Sequence, residues 1–154
     1  MTRKEKVLPV NDVKVRPFER FDHDMLAELY VKSRIVAFPW LSPEHFKLTD
    51  FDWDTKGESI LVMLAGEVII GFSSSWLPQN FLHNIFIHPD YLRKGYGTVL
   101  LGETLKILEL PVRLKCQKNN NRAIEFYNYH GWYKVGEGET EIGEYYILEY
   151  RGNA

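Results

Sequence analysis

The run His88-Pro89-Asp90-Tyr91-Leu92-Arg93-Lys94-Gly95-Tyr96-Gly97-Thr98 combines features that suit an anion. An apolar strand ends at a proline, a basic turn with two glycines follows, and a helix begins. The first turn of a helix carries free N–H groups and about half a positive charge. Glycines let the backbone approach a ligand closely, and Arg93 and Lys94 add charge. This is a recipe for gripping a phosphate or diphosphate. A Walker loop needs Gly-Lys followed by Ser or Thr, and a dinucleotide fingerprint needs glycine where Leu100 stands; both are missing. The plainer reading is a basic turn whose glycines serve geometry alone. A second dense segment, Asn119 to Trp132, starts twenty-two residues beyond Gly97. Its three leading asparagines are good helix caps, and Ala123, Ile124 and Tyr127 fall on one side of the helix that follows. His83, His88 and Asp90 are too loosely spaced, with a proline between, to suggest a metal, and none is expected.

These residues need elements to hold them. Val13 to Arg16 reads as a first strand, and Asp22 as the N-cap of a helix reaching about Ala37. Phe38-Pro39 ends that helix, and Ser42-Pro43 opens a short second one. The acidic stretch Asp50 to Glu58 reads as an exposed loop. Strands follow at Ser59–Ala65 and Val68–Trp76, joined through Gly66-Glu67, and a further strand at Phe81–His88. Ser73, Ser74 and Ser75 read as the polar face of their strand. The uneven spacing of Leu82, Ile85 and Ile87 points to a bulge near His83-Asn84 that would re-aim side chains. A helix at Tyr96–Leu108, a strand at Leu110–Gln117, a helix at Asn120–His130 capped by Gly131, and strands at Trp132–Gly136 and Tyr145–Tyr150 complete the chain. Such an α/β mixture implies one central mixed sheet with helices on both faces. With no repeat, linker or low-complexity stretch, residues 1–154 read as one domain.

Composition narrows the classes. A chain of 154 residues buries roughly 70% of its unfolded surface, enough for a real core. Hydrophobic residues at 45% and charged residues at 26% exclude global disorder. A net charge of −2 argues against nucleic acid as a partner. Cys116, the only cysteine, rules out an intrachain disulfide and a cysteine-rich zinc site. The opening MTRKEKVLPVNDVKV holds no apolar leader, and no stretch approaches ~18 apolar residues, so a soluble, cytoplasmic protein without membrane contact is expected.

Taken together, the two segments resemble the GNAT acetyltransferase superfamily. Gly95 and Gly97 match its Gln/Arg-x-x-Gly-x-Gly/Ala signature after a proline-ended strand. Asn120, Ala123 and Tyr127 match Asn-x-x-Ala-x-x-x-Tyr, and Gly131-Trp132 match its glycine and aromatic close. The element order follows that family over nearly the whole chain. Leu92 departs from the first signature, removing a side-chain contact that Arg93 or Lys94 could supply. Lys115 stands where the ribosomal-protein N-terminal acetyltransferases carry glutamate, which disfavours that subgroup.

The resemblance implies a mostly antiparallel sheet of about seven strands, splayed into a V between the fourth and fifth. Acetyl-CoA would lie in the V, its pantetheine along Phe86, Ile87 and His88 and its diphosphate on Leu92, Arg93, Lys94, Gly95, Tyr96, Gly97 and Thr98. Asn120, Ala123 and Tyr127 would complete the cofactor site. Tyr127 stands at the family tyrosine that protonates the leaving thiolate, and its plainer reading is a core aromatic. His83, on the strand beside the cleft and titrating near pH ~6.5, is the candidate base; its plainer reading is a hydrogen-bonded strand histidine. Phe38, Trp40, Phe46 and Trp76 could wall the acceptor, and Glu44, Asp50, Asp52 and Asp54 could draw a cationic amine. The implied activity is acetyl transfer to a primary amine, on a small molecule or peptide, by direct attack through a tetrahedral intermediate. A non-catalytic CoA-binding sensor or interaction module is the rival, and a homodimer is the assembly the family admits.

Overall fold

Within one strand, Ser59–Ala65, the alternation of side chains already separates two cores. Val62 and Leu64 join a cluster with Leu26, Leu29, Tyr30, Phe51 and Phe72, while Met63 and Ala65 join another with Ile70, Tyr96 and Leu100. The computed structural model describes residues 12–152. Residues 1–11 and 153–154, which include most of the stretch read for an apolar leader, lie outside the described residues.

The elements are β1 (Val13–Pro17), α1 (His23–Ala37), α2 (Asp50–Asp54), β2 (Ser59–Ala65), β3 (Val68–Trp76), β4 (Phe81–Ile87), α3 (Tyr96–Leu105), β5 (Val112–Gln117), α4 (Asn121–Tyr129), β6 (Tyr133–Thr140) and β7 (Gly143–Tyr150). The strands form one sheet in the order β1-β2-β3-β4-β5-β7-β6. Every pairing is antiparallel except β4 with β5. Helices α1 and α2 pack on one face and α3 and α4 on the other, as the helix-on-both-faces reading expects. A third cluster, with Leu82, Leu101, Leu114, Tyr127 and Trp132, lies under the junction of β4 and β5.

Gly71 fixes how closely β3 and β4 approach. A Cβ there would stand 2.8 Å from the Phe86 carbonyl oxygen and 2.8 Å from Ile87 Cδ1, so only glycine fits. At the entry to α1, Asp22 is buried, but its carboxylate does not cap the helix. It pairs with Arg16 at 2.8 and 2.9 Å and accepts the Glu19 N–H. The Arg16 guanidinium holds the Asp22 carboxyl below the usual carboxylate range.

Four expectations are corrected. The short helix after Ser42 is a single 3-10 turn, Pro43–His45. The acidic stretch is no loop throughout: Asp50–Asp54 is helical because Phe51, 2% exposed, inserts among Tyr30 and Phe72. Ser73, Ser74 and Ser75 are buried, with Ser73 bonded to Thr104 at 2.7 Å and Ser74 accepting from Asn84 at 2.8 Å. Strand β6 extends to Thr140, because pairing with β7 overrides the poor strand propensity of Gly136-Glu137-Gly138-Glu139. Among the described residues, no helix is long and apolar enough to cross a membrane.

Candidate functional site

Strands β4 and β5 register at one pair, Phe81 with Arg113, and splay beyond it. The His88 N–H bonds the Ile70 carbonyl at 2.7 Å, which fixes the main-chain groups of His88 toward β3. By alternation, those of Ile85 and Ile87 turn toward the splay. The hydroxyl of Ser33, near the end of α1, donates to the Ile87 carbonyl at 3.4 Å.

At the end of β4 the chain turns through residues 88–95. His88 Nδ1 accepts the Asp90 N–H at 3.0 Å and fixes the start of the turn. Arg93 has φ 63° and Gly95 φ 88°. A non-glycine in the left-handed region costs of order 1 kcal/mol, and such strain gathers at ligand clamps. Left-handed residues among neighbours of the usual hand gather successive N–H groups into an anion-binding concavity. Gly95 is also the N-cap of α3, so the free N–H groups of that helix open on the same side.

These parts meet in a cleft of about 660 Å³. From β4 come Ile85, Phe86 and Ile87; from the turn and α3 come Leu92, Arg93, Gly95, Gly97 and Thr98. Helix α4 and its cap contribute Asn120, Ala123, Phe126 and Tyr127. The end of α1 and the turn after it add Val36, Ala37 and Trp40, of which the sequence pointed only to Trp40. Phe126 was also missed, although its ring packs 5.3 Å from Tyr127; its side of α4 shows in the helical period, but cleft and core faces do not differ in composition.

Besides Phe46 and the acids Glu44, Asp50, Asp52 and Asp54, six of the candidate residues do not line the cleft. The Tyr96 side chain is 1% exposed and packs in the core, leaving its main chain in the first turn of α3. His88 is spent on the turn, and Lys94 lies half-buried beside it. Phe38 packs on Trp40 at 5.6 Å and on Phe46 at 6.2 Å, behind the wall that Trp40 makes. Trp76 sits exposed at the end of β3, over Gly57.

His83 is the sixth. It is the bulged residue: Ser74 faces Asn84 and Ser75 faces Leu82, so His83 has no partner on β3. The bulge re-aims the ring, but toward Glu58 and not toward the cleft lining. His83 Nδ1 lies 2.8 Å from Glu58 Oε2. The Glu58 side chain is 9% exposed, and its Oε1 has no hydrogen-bond partner. The bond to Glu58 raises the imidazole pKa above its ordinary value, against the lowering pull of burial. Nearby, the Tyr30 hydroxyl donates to Asp54 at 2.6 Å, so two acids of the supposed loop are engaged by side chains of α1 and β4.

Tyr127 faces the cleft from α4 while its ring packs against Trp132 at 5.4 Å. Burial, then the neighbouring Cys116, push its pKa well above the ordinary tyrosine value. Burial lifts the Cys116 thiol to about 11, so it stays protonated and is no nucleophile. Asn120 caps α4, its side chain accepting the Ala123 N–H at 3.2 Å.

A splayed parallel pair, an open strand edge and a left-handed turn leading into a helix mark the acetyltransferase fold of the GNAT class. The chain belongs to the acetyltransferase (GNAT) family, whose pattern it matches over residues 23–132. No curated protein sequence gives a match. Solved structures resemble it at low identity. A PaiA N-acetyltransferase from Thermoplasma acidophilum, in complex with coenzyme A, superposes with a TM-score of 0.77 at 20% identity, covering 91% of this chain and 99% of that one. The ribosomal-protein-S18-alanine N-acetyltransferase of Escherichia coli gives 0.67 at 20% identity, covering 90% and 93%. A spermidine N-acetyltransferase mutant from Vibrio cholerae gives 0.66 at 17% identity, covering 92% and 94%. These likenesses are of fold.

Proposed function

We propose that this single-domain chain, residues 1–154, is an N-acetyltransferase that moves acetyl from acetyl-CoA to a primary amine of a small molecule or peptide. The carrying observation is the convergence, on one cleft, of the open edge of β4, the left-handed turn before α3 and Tyr127. The residues fit a coenzyme A thioester. Ile85 and Ile87 offer main-chain groups to the pantetheine amides, residues 92–98 offer N–H groups to the diphosphate, and Phe126 and Ala123 offer apolar surface. The thioester supplies an activated acyl group. The amine nitrogen attacks its carbonyl carbon, the C–S bond breaks, and Tyr127 gives its proton to the departing sulfur. Edge N–H groups of β4 would steady the oxyanion.

The test is thiol release from acetyl-CoA with a panel of polyamines, aminoglycosides, amino acids and peptides. Acceptor-dependent release supports the reading. Tight CoA binding with no release across the panel supports a sensor module instead.

We assign the amine proton to His83, reached through water because its ring turns to Glu58 and does not line the cleft. A base works unprotonated, so kcat/KM rises with pH through its pKa. Glu58 raises that pKa, so the acidic limb should lie above pH ~6.5. Glu58→Gln should move the limb to lower pH. His83→Gln should flatten it and lower the plateau roughly 10²-fold, the low end for proton transfer. A limb unmoved in both variants would make the pair structural, and a neutral incoming amine the better account.

A further inference from the structure

Thr98 lines the cleft on one side and, on the other, a second cavity of about 400 Å³ that also holds His130, Tyr129 and Tyr150. Thr98 Oγ1 lies 3.0 Å from His130 Nε2. The imidazole is held firmly. Its main-chain N–H bonds the carbonyls of Phe126 and Tyr127 at 3.1 Å each, and its ring packs on Phe126 at 4.6 Å. Phe126 in turn is the nearest side chain to the open face of Gly97. His130 is thus tied to the anion-gripping turn twice, through a hydroxyl and through a ring.

Protonation at Nε2 decides where the Thr98 hydroxyl points its hydrogen, and the neutral ring is taken with its proton on Nδ1. When Nε2 carries no proton, it accepts from Thr98 and draws that hydrogen away from the cleft. When Nε2 is protonated, it donates to Thr98 Oγ1 and frees the hydroxyl hydrogen for a ligand. The titratable groups that share its cavity are Tyr129 on α4, with its ring 5.1 Å away, and Tyr150 on β7. Burial lowers the His130 pKa, and no carboxylate counters it. The ring is therefore neutral near pH 7 until an anion arrives, and an anion favours the charged form.

We propose that His130 is a positioning residue for the diphosphate of the donor, turning the Thr98 hydroxyl into a donor and taking up a proton as the anion binds. This rests on the donor reading above. The sign follows from linkage: a pKa raised by binding makes affinity greatest at low pH and lets it fall as pH rises through the bound-state pKa.

The experiment is calorimetry with dephospho-CoA, which keeps the diphosphate and lacks the titrating 3′-phosphate, in two buffers of different ionisation enthalpy. At pH ~6.5, near the ordinary histidine value, the native chain should take up a few tenths of a proton more than His130→Gln. Its affinity should fall about 3- to 10-fold between pH 6 and 8, and His130→Gln should fall less. Thr98→Val should lose affinity by itself, and the double variant should lose little more, the mark of two residues acting as one. Equal proton uptake in the native chain and His130→Gln, with binding retained, would overturn the role of His130 and leave the donor reading standing. No binding of dephospho-CoA or CoA to the native chain would overturn both.

Discussion

Tyr127→Phe is expected to lower the single-turnover rate of acetyl transfer by roughly 10²-fold, the lower range for a general acid, while CoA affinity changes little. The ring would stay, packed against Trp132 and Phe126. The hydroxyl makes no hydrogen bond among the described residues, so its removal orphans no partner and stability should hold. Only the proton is lost. Burial keeps that proton on the oxygen far into the alkaline range. A thiolate formed in the same dry cleft is disfavoured too, so the transfer between them stays feasible. No descending limb from Tyr127 is therefore expected below pH ~10. Single-turnover measurement matters because slow product release would mask the chemical step. Equal rates in the two proteins would remove Tyr127 from the mechanism.

Gly97→Glu is expected to weaken CoA binding by roughly 10²-fold, about 2.7 kcal/mol, with the fold intact. A Cβ at Gly97 would stand 3.5 Å from Phe126 and 4.0 Å from Ile87, ordinary contact, so Gly97→Ala should bind within ~3-fold of the native chain. The glutamate carboxylate near the start of α3 is itself favoured by the helix dipole. That is why it should fold, and also why it should interfere: it competes for the N–H groups a diphosphate would use and repels its charge. Titration calorimetry of CoA against both variants checks the pair. If the glutamate variant binds as tightly as the alanine variant, the turn is not the phosphate site.

The fold was legible because its signals are local. Gly95 and Gly97 ahead of an apolar helix, Asn120 three residues before Ala123, and the break in alternation at His83 all survive into the structure. What the sequence could not show depends on contacts distant along the chain. Phe51 inside an acidic stretch looks like an exposed aromatic until Tyr30 and Phe72 surround it. The three serines of β3 look solvated until Thr104 and Asn84 reach two of them. The direction of the His83 ring was set by Glu58, twenty-five residues earlier, a pairing no spacing rule encodes. The contribution of α1 to the cleft was hidden for the same reason, since Val36 and Ala37 look like any helix end.

The unpaired edge of β4 has a consequence for what the protein avoids. An open strand edge is normally a hazard, because any extended polypeptide can add to it and seed aggregation. Here the bare edge lies inside the sheet, between two strands that register at one pair near their start and splay beyond it. A β-strand carries side chains on both faces, and the end of α1 and the side of α4 stand over this gap. A strand added to that edge would have to enter a gap overhung on both faces by these elements. On the proposed reading, the edge that is open to a small molecule is shielded from further strands by its own neighbours in the sheet and by the elements over it, a protection that outer edges take from lysines, prolines or covering loops.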